Sequence, residues 1–302
     1  YGNNSVVTDN KIANVTLVQN LECDYKKDEE GGSTPDTIDH FVGRKGGTCT
    51  IDRNTGEATI VIAIASGVYA SKTETDSEGN TTVTEYSVYA AEGLEWVASQ
   101  VDEGCTFENV TIQLLNDIDL SNDNWNPIGD NRTDAAFSGT FDGNGHTIKG
   151  AHITGDHCFN GDVYGSKEGW GLFSVTDGAT IKNLKVDGAT FASYTVISGT
   201  IAGYANNTTF ESIEISNTKI SGYNWYTGGV VGWAAGDCTF RNVNLDNTVK
   251  VGTLWDSHGQ CAGGIAGGIS SSSNITIEDC NIACVMDVIN DVTSNYKWYI
   301  YR

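Results

Sequence analysis

The fold of this chain follows from a short pattern, seen most clearly in Thr180-Ile181-Lys182-Asn183-Leu184-Lys185-Val186. Position one is threonine, position two is Ile or Phe, position four is Asn, Gly, Ser or Asp, and position seven is aliphatic. Six copies begin at Thr106, Thr147, Thr180, Thr209, Thr239 and Thr276. Alternating apolar residues are typical of a β-strand. Asn, Gly or Asp at position four accepts the left-handed backbone conformation of a bend.

The spacing of these copies, about 30 to 40 residues, predicts a parallel β-solenoid. Short strands cannot each bury an apolar face alone, but stacking them in register buries a continuous core. Asn side chains at the bends are then expected to hydrogen-bond from coil to coil. The helices that a β–α–β sheet needs between its strands are missing. We therefore predict an all-β fold, a parallel β-helix of about six coils over residues 105–285, with a β-sandwich as the alternative.

The flanking segments carry different patterns. Over 90–104 the apolar residues Leu94, Val97, Ala98 and Val101 form one helical stripe, and Gly104 ends it. We expect this helix to cap the open end of the stack, although an ordinary surface helix fits as well. Residues 1–89 are predicted to be a small antiparallel β region, with a hairpin turn at 76–80, and 286–302 a C-terminal aromatic strand.

Charge excludes several classes of partner. The 302 residues include 39 acidic and 17 basic side chains, for a formal net charge of −22. Binding to nucleic acid requires clustered Lys and Arg side chains that contact the phosphates. A chain with this excess of negative charge lacks such clusters and is also repelled by anionic lipid. No run approaches the roughly 18 apolar residues of a membrane helix. The sequence therefore predicts no nucleic-acid partner and no membrane insertion.

The cysteines and N-glycosylation sequons favour an extracellular protein. The eight cysteines, none with zinc-site spacing, are Cys23, Cys49, Cys105, Cys158, Cys238, Cys261, Cys280 and Cys284. We expect disulfides, with Cys23–Cys49 the best single pair, and buried free thiols as the alternative. The start at Tyr1-Gly2 fits a mature secreted protein. N-glycosylation is permitted at Asn3, Asn14, Asn80, Asn109, Asn131, Asn206, Asn207 and Asn274.

Two glycine-containing loops hold the candidate catalytic residues. Asp156, His157 and Asp162 lie in one loop, and Asp256 lies in the other. If both overhang the same side of the stack, they form a cleft with the paired carboxylates that a glycosidase needs. The simpler interpretation is two solvated loops on an acidic protein. The scarcity of basic residues argues against a lyase, which must stabilise an enolate.

Metal and cofactor signals are weak. Oxygen ligands for calcium are offered by Asn116, Asp117, Asp119 and Asp123, but the EF-hand spacing is absent. The Asp-Gly and Asn-Gly pairs in 142–146 indicate a tight bend rather than a ligand site. We therefore predict no cofactor, and keep calcium as the weaker alternative.

Aromatic side chains recur beside the glycine-flanked strands. Trp170, Trp225, Trp233 and Trp255 are the members of this group that we select as candidate binding residues. On one face they would form a platform for stacking sugars, because flat aromatic rings pack on apolar sugar faces. Cover for the wall of the solenoid is the alternative.

The repeat resembles a known family. Gly171-Leu172-Phe173-Ser174, followed by the Thr180 copy, is similar to the GLUG-type repeat of bacterial surface β-helix proteins, and the resemblance extends over about 88–285. Later coils depart from it, with Thr-Ile, Val-Val and Ile-Ala in place of Leu-Phe. The resemblance implies a right-handed parallel β-helix in a secreted or surface-anchored protein, often a stalk or an adhesive arm.

These observations favour a non-enzymatic structural or adhesive protein, secreted or held at the cell surface. Its expected partners are copies of itself, with surface glycans as a second class. The segment from Val6 to Leu21 and the aromatic C-terminal strand are candidates for pairing with sheet edges of neighbouring copies, which would build a filament. The alternatives are a polysaccharide-active enzyme, either glycosidase or lyase, and a glycan-binding β-helix.

Overall fold

A computed structural model describes residues 5–8, 11–20, 49–52, 55–129, 135–153, 169–193, 197–222, 226–253 and 261–286. Within these ranges the chain is all-β with one helix, and its sheets are mostly parallel. It divides into two compact units, one of residues 1–65 and 69–71 and the other of 66–68 and 72–302.

The first unit contains β1 (Ser5–Thr8), β2 (Lys11–Asn20), β3 (Cys49–Asp52) and β4 (Thr55–Ala65). β1 pairs with β3 and β2 with β4, both in parallel. The predicted antiparallel arrangement is therefore wrong for these pairs. Alternating apolar residues reveal a strand but not its direction, and the long segment between β2 and β3 gives the chain room to return in parallel.

β5 (Val68–Thr75) is divided between the units, with residues 69–71 in the first, and β6 (Thr81–Val88) belongs to the second. In the turn that joins them, Asp76 Oδ1 accepts the amides of Glu78 and Asn80. The predicted helix follows as α1 (Ala91–Asp102). It buries the expected apolar stripe, and Gly104 beyond it has a φ of 99°. β6 pairs in parallel with the next strand, so the parallel sheet starts before α1 and not at residue 105.

The remaining strands are short and numerous. They are β7 (Thr111–Leu114), β8 (Ile118–Asp119), β9 (Thr140–Asp142), β10 (Thr147–Lys149), β11 (His152–Ile153), β12 (Gly169–Trp170), β13 (Phe173–Asp177), β14 (Thr180–Asp187), β15 (Thr190–Ser193), β16 (Ile197–Gly199), β17 (Ala202–Asn206), β18 (Thr209–Ser216), β19 (Lys219–Gly222), β20 (Tyr226–Gly228), β21 (Val231–Ala235), β22 (Asp237–Leu245), β23 (Lys250–Thr253), β24 (Cys261–Gly263), β25 (Ala266–Ile269), β26 (Asn274–Glu278), β27 (Asn281–Ile282) and β28 (Val285–Met286).

From β12 onward the chain visits four parallel sheets in a fixed order and then repeats the visit. Each round, which we call a rung, passes through the sheets β12-β16-β20-β24, β13-β17-β21-β25, a third sheet that contains β14-β18-β22-β26, and β11-β15-β19-β23-β28. We call the third of these the threonine sheet. Every strand therefore pairs with its equivalent in the next rung, as the repeat predicts.

The register of the threonine sheet confirms four copies of the pattern and corrects two. Thr180 stands opposite Thr209, and the column continues through Thr239 and Thr276. In the earlier rungs, however, the column passes through Thr140 and Thr111, not through Thr147 and Thr106. The turn at 143–146 separates β9 from β10, so the pattern found at Thr147 belongs to the second half of its rung.

The apolar residue beside each of these threonines forms the core. Ile112, Phe141, Ile181, Phe210 and Phe240 lie in one column and are at most 1% exposed. The rings of Phe210 and Phe240 stack with centroids 5.0 Å apart and planes 6° apart. One dry interior thus runs through the rungs.

The bend residues behave as predicted. Asn183, Ser212, Asn242 and Asp279, at position four of the later copies, have φ between 51° and 56°. Their side chains also join neighbouring rungs. Asn183 Nδ2 donates to Asp142 Oδ1 at 3.1 Å, and Asn242 Nδ2 donates to Ser212 Oγ at 3.1 Å.

Glycines flank the short strands because two sheets meet there without side chains between them. A Cβ atom built on Gly203 would lie 2.0 Å from Gly169 Cα, a distance that real atoms do not reach. The glycine repeat is therefore a packing requirement of this contact, where backbone approaches backbone.

The disulfide prediction fails for four of the cysteines. Cys105, Cys238, Cys280 and Cys284 are free thiols. Cys238 is fully buried in a core position, where it acts as a small apolar side chain and burial raises the pKa of its thiol. Cys261 is exposed. Cys23, Cys158 and the side chain of Cys49 lie outside the described residues, so the proposed pair between Cys23 and Cys49 stays a prediction.

Candidate functional site: the uncovered last rung

The last described rung exposes apolar side chains in core positions. Val285 is 42% exposed but stands opposite half-buried Lys250, so it does not occupy a core position. Ile269, Ile277 and Met286 are between 48% and 53% exposed. Their counterparts one rung earlier, Ala234, Phe240 and Val251, have no exposed surface. The side chains are thus placed as core residues but are covered on one side only.

The backbone at this end has a free edge as well. β26 pairs with β22 in parallel, and within the described residues it has no partner on its other side. An unpaired strand edge presents a row of amide and carbonyl groups, which is a template for another strand. The last rung therefore combines unsatisfied backbone groups with an apolar face.

Charges on the outer face of the threonine sheet alternate from rung to rung. Asp142, Lys182, Glu211, Arg241 and Glu278 occupy one column. Arg241 reaches Glu278 at 3.1 Å and Glu211 at 3.9 Å, and Lys182 reaches Asp142 at 3.4 Å. Opposite charges directly across neighbouring strands favour this register over a shifted one, although each exposed pair is weak. The column ends on Glu278.

An open polar groove of about 400 Å³ is lined by two charged pairs, Lys149 with Asp187 and Lys185 with Glu214. Lys149 stands opposite Asp187 on one side and opposite Asp119, which does not line the groove, on the other; Lys185 lies 3.2 Å from Glu214. These lysines were not among the residues predicted from the sequence. The sequence nevertheless contains a pattern that could have identified them, because charges of opposite sign recur at equivalent positions of successive copies.

Three of the four calcium candidates, Asn116, Asp117 and Asp119, make hydrogen bonds within the protein. Asp117 accepts from Lys149 Nζ at 2.8 Å and from the amide of Thr147, and the bond to Lys149 is the main reason that the pKa of Asp117 falls to about 2. A hydrogen bond from the Ser121 side chain is the main reason that the pKa of Asp119 is lowered, and the amide of Ser121, which donates to Asp119 Oδ1 at 2.9 Å, adds to the effect. Within the described ranges no group of three His, Cys, Asp or Glu is placed to hold a metal ion.

The candidate catalytic residues Asp156, His157, Asp162 and Asp256 lie outside the described residues. The strands that bracket their loops are described. β11 and β23 belong to one sheet, and β12 and β24 belong to another. Segments 154–168 and 254–260 therefore follow and precede strands of the same two sheets, and a cleft formed by their residues stays a prediction.

Two of the four candidate binding tryptophans are described. Trp233 packs against Tyr226, with ring centroids 4.4 Å apart, and both rings lie over Gly268. Trp170 is half-buried and its Nε1 atom has no hydrogen-bond partner. Trp225 and Trp255 lie outside the described residues. Packing accounts for Trp233, and sugar binding stays a prediction.

Several sequons arise from the repeat itself. Asn109, Asn207 and Asn274 each stand two residues before a threonine of the column, which creates the Asn-x-Thr pattern. Three sequon asparagines already donate hydrogen bonds through their side-chain Nδ2 atoms. Asn206 donates to Asp177 and Asn274 to Asp237, each at 2.8 Å, and Asn80 donates to Asp76 at 2.9 Å. Asn3, Asn131 and the side chain of Asn14 lie outside the description. Glycosylation stays a prediction throughout.

Comparisons with known proteins confirm the GLUG resemblance for one segment. The GLUG motif matches residues 223–250, a range that contains β20, β21, β22 and the first residue of β23 and so covers most of one rung. A search of curated proteins finds no match. One similar solved structure is a putative immunoglobulin A1 protease from Bacteroides ovatus, 17% identical over 72% of this chain and 69% of that one, with a TM-score of 0.43. In the part of the chain that is described, the single helix is too short to span a membrane.

Proposed function

We propose that the chain is a non-enzymatic structural or adhesive protein, secreted or displayed at the cell surface, and a subunit of an extracellular fibre. Copies join by strand pairing at the ends of a right-handed parallel β-helix. The observation that carries this proposal is the last rung, where half-exposed Ile277 and its neighbours lie beside a free strand edge.

The repeated parallel visits to four sheets support the β-helix. Connections between parallel strands of one sheet are right-handed in nearly all proteins, because a twisted strand packs back onto its sheet in that way. The GLUG match over 223–250 supports a surface or secreted protein.

The energetics of the open end support assembly. A fully buried aliphatic side chain contributes about 1.5–3 kcal/mol, so the three core side chains that are about half exposed, Ile269, Ile277 and Met286, forgo about 1 kcal/mol each. Covering them, together with the edge of β26, offsets part of the entropy lost on association. A monomer seldom leaves core positions open in this way.

The net charge of −22 sets the conditions for assembly. Copies of such a chain repel one another at low ionic strength, and salt screens the repulsion beyond a Debye length of about 8 Å at 0.15 M. We therefore expect filaments to lengthen as salt rises.

Negative-stain microscopy and mass photometry of the full chain, over a range of concentration and salt, test the proposal. The variant Ile277→Lys places a charge on the open apolar face and is expected to abolish filaments without unfolding the monomer, because Ile277 is already 53% exposed. Asn122→Lys, on an exposed loop, is the matched control. Monomeric particles at every concentration and salt would refute the fibre.

A glycan-active β-helix remains the second proposal. It is favoured by one observation, that the segments holding Asp156, Asp162 and Asp256 follow and precede strands of the same two sheets. An enzyme would cleave a member of a glycan panel and lose that activity in Asp156→Asn or Asp256→Asn. A binding module would show saturable binding without cleavage.

A further inference from the structure

We infer that the strand covering β26 in the fibre is β2 of a second copy, added in parallel with Asn14 opposite Asn274, Thr16 opposite Thr276 and Leu17 opposite Ile277. This inference rests on the proposed function and specifies its contact. The two proposals fail separately in the experiment below.

The two strands match in residue type. β2 contains Asn14-Val15-Thr16-Leu17, and β26 contains Asn274-Ile275-Thr276-Ile277. At these four successive positions Asn is opposite Asn, an aliphatic residue is opposite an aliphatic residue twice, and Thr is opposite Thr. β2 therefore has the sequence of a further rung of the threonine sheet.

β2 has one strand partner in the described part of the chain. It is ten residues long and pairs in parallel with β4, with Thr16 opposite Thr59 and Leu17 opposite Ile60. It thus already takes part in a threonine column with an aliphatic column beside it. Among the described strands β4 is its one partner, so β2 is an end strand with a free edge.

The pairing would create contacts of a kind that the existing rungs already make. In the existing stack, Asn281 Nδ2 donates to Asn244 Oδ1 of the rung before at 3.0 Å, which shows that stacked asparagines bond in this fold. Asn14 on Asn274 would repeat that bond. Leu17 would cover Ile277, and the uncharged Val18 would stand opposite Glu278, which keeps its ion pair with Arg241 at 3.1 Å.

The competing occupant of the β26 edge is the segment of the same chain after Met286. This segment would cover β26 within a single molecule, whereas β2 of a second copy would join two molecules. The two occupants therefore differ in whether the contact links separate chains.

Disulfide cross-linking of the full chain separates these occupants and tests the register. Residues directly opposite on neighbouring strands lie about 5 Å apart at Cα, within the range of a disulfide. The double variant Thr16→Cys with Thr276→Cys is oxidised under filament-forming conditions and run on a non-reducing gel. Val15→Cys with Thr276→Cys is the matched control, because a shift of one residue places its thiols on opposite faces. Each single variant controls for the native thiols.

A ladder of multimers in the Thr16–Thr276 pair, lost in the shifted pair and in both single variants, is the expected result. A cross-link confined to the monomer band, or an equal ladder in the shifted pair, would overturn the strand assignment or the register. Filaments without any ladder would overturn the role of β2 and leave the fibre standing. A ladder of short oligomers without filaments would overturn the fibre and leave the pairing of β2 with β26 standing. The absence of filaments and of any ladder would refute the fibre and the pairing together.

Discussion

Two isoleucines at equivalent positions allow a matched test of the stack and its open end. Ile181 and Ile277 occupy the same core column of the threonine sheet, separated by two rungs. Ile181 has no exposed surface, whereas Ile277 is 53% exposed. The same substitution, Ile→Ala, therefore removes the same atoms from a site covered on both sides and from a site covered on one.

The magnitudes follow from burial. Ile181→Ala loses the transfer free energy of the side chain and leaves a cavity, which together cost about 2–5 kcal/mol. Ile277→Ala loses about half of the transfer term and leaves no enclosed cavity, so about 1 kcal/mol is expected. In the fibre, where Ile277 is covered, its cost should rise towards that of Ile181.

Urea unfolding of dilute protein, followed by tryptophan fluorescence, measures the difference. With a slope of about 3 kcal/mol/M, a gap of about 2 kcal/mol separates the two midpoints by about 0.7 M. Equal shifts of the midpoint in the two variants would refute the reasoning, because they would show that Ile277 is already covered in the monomer.

Other predictions address packing, charge and pH. Gly203→Val should lower the melting temperature strongly, because its side chain would collide with the backbone of Gly169, and Ala262→Val on an exposed position of a nearby strand should not. Arg241→Glu places a negative charge between Glu211 and Glu278, which makes three consecutive acids, and should destabilise the protein by about 1 kcal/mol. High salt should reduce this loss, and Arg241→Met should largely avoid it. The pKa of Asp117 is lowered to about 2, so its contribution to stability is present above the ordinary value of 3.8 and is lost as pH falls towards 2. NMR titration should find that midpoint near 2, and Lys149→Met should raise it.

The core of the threonine sheet was predictable because its signal is local. Ile or Phe beside a threonine marks an inward position, and Asn or Asp three residues after that threonine marks a bend, as Asn183 and Asn242 show with their positive φ. The error at Thr147 has a physical origin. An extra turn inside a rung shifts the pattern without changing it, and only the pairing of Thr140 with Thr180 reveals the shift.

The candidate site was harder to predict from the sequence, because the exposure of a core residue depends on whether another strand packs against its rung. Ile181 and Ile277 follow the same local pattern, yet one is core and the other is surface. The alternation of charge from Lys182 to Glu211 to Arg241 was present in the sequence, but its meaning requires the register.

The amino-acid sequence alone determined the strand pattern, the bends, the helix and the acidic character of this protein, since each depends on residues close together in the chain or on composition. Tertiary structure decided the register of the early rungs, the parallel direction of β2 and β4, the free state of Cys238 and the uncovered face at Ile277. Those properties depend on which segment lies against which. In a stack of similar rungs several pairings satisfy the local pattern, and only one of them is formed.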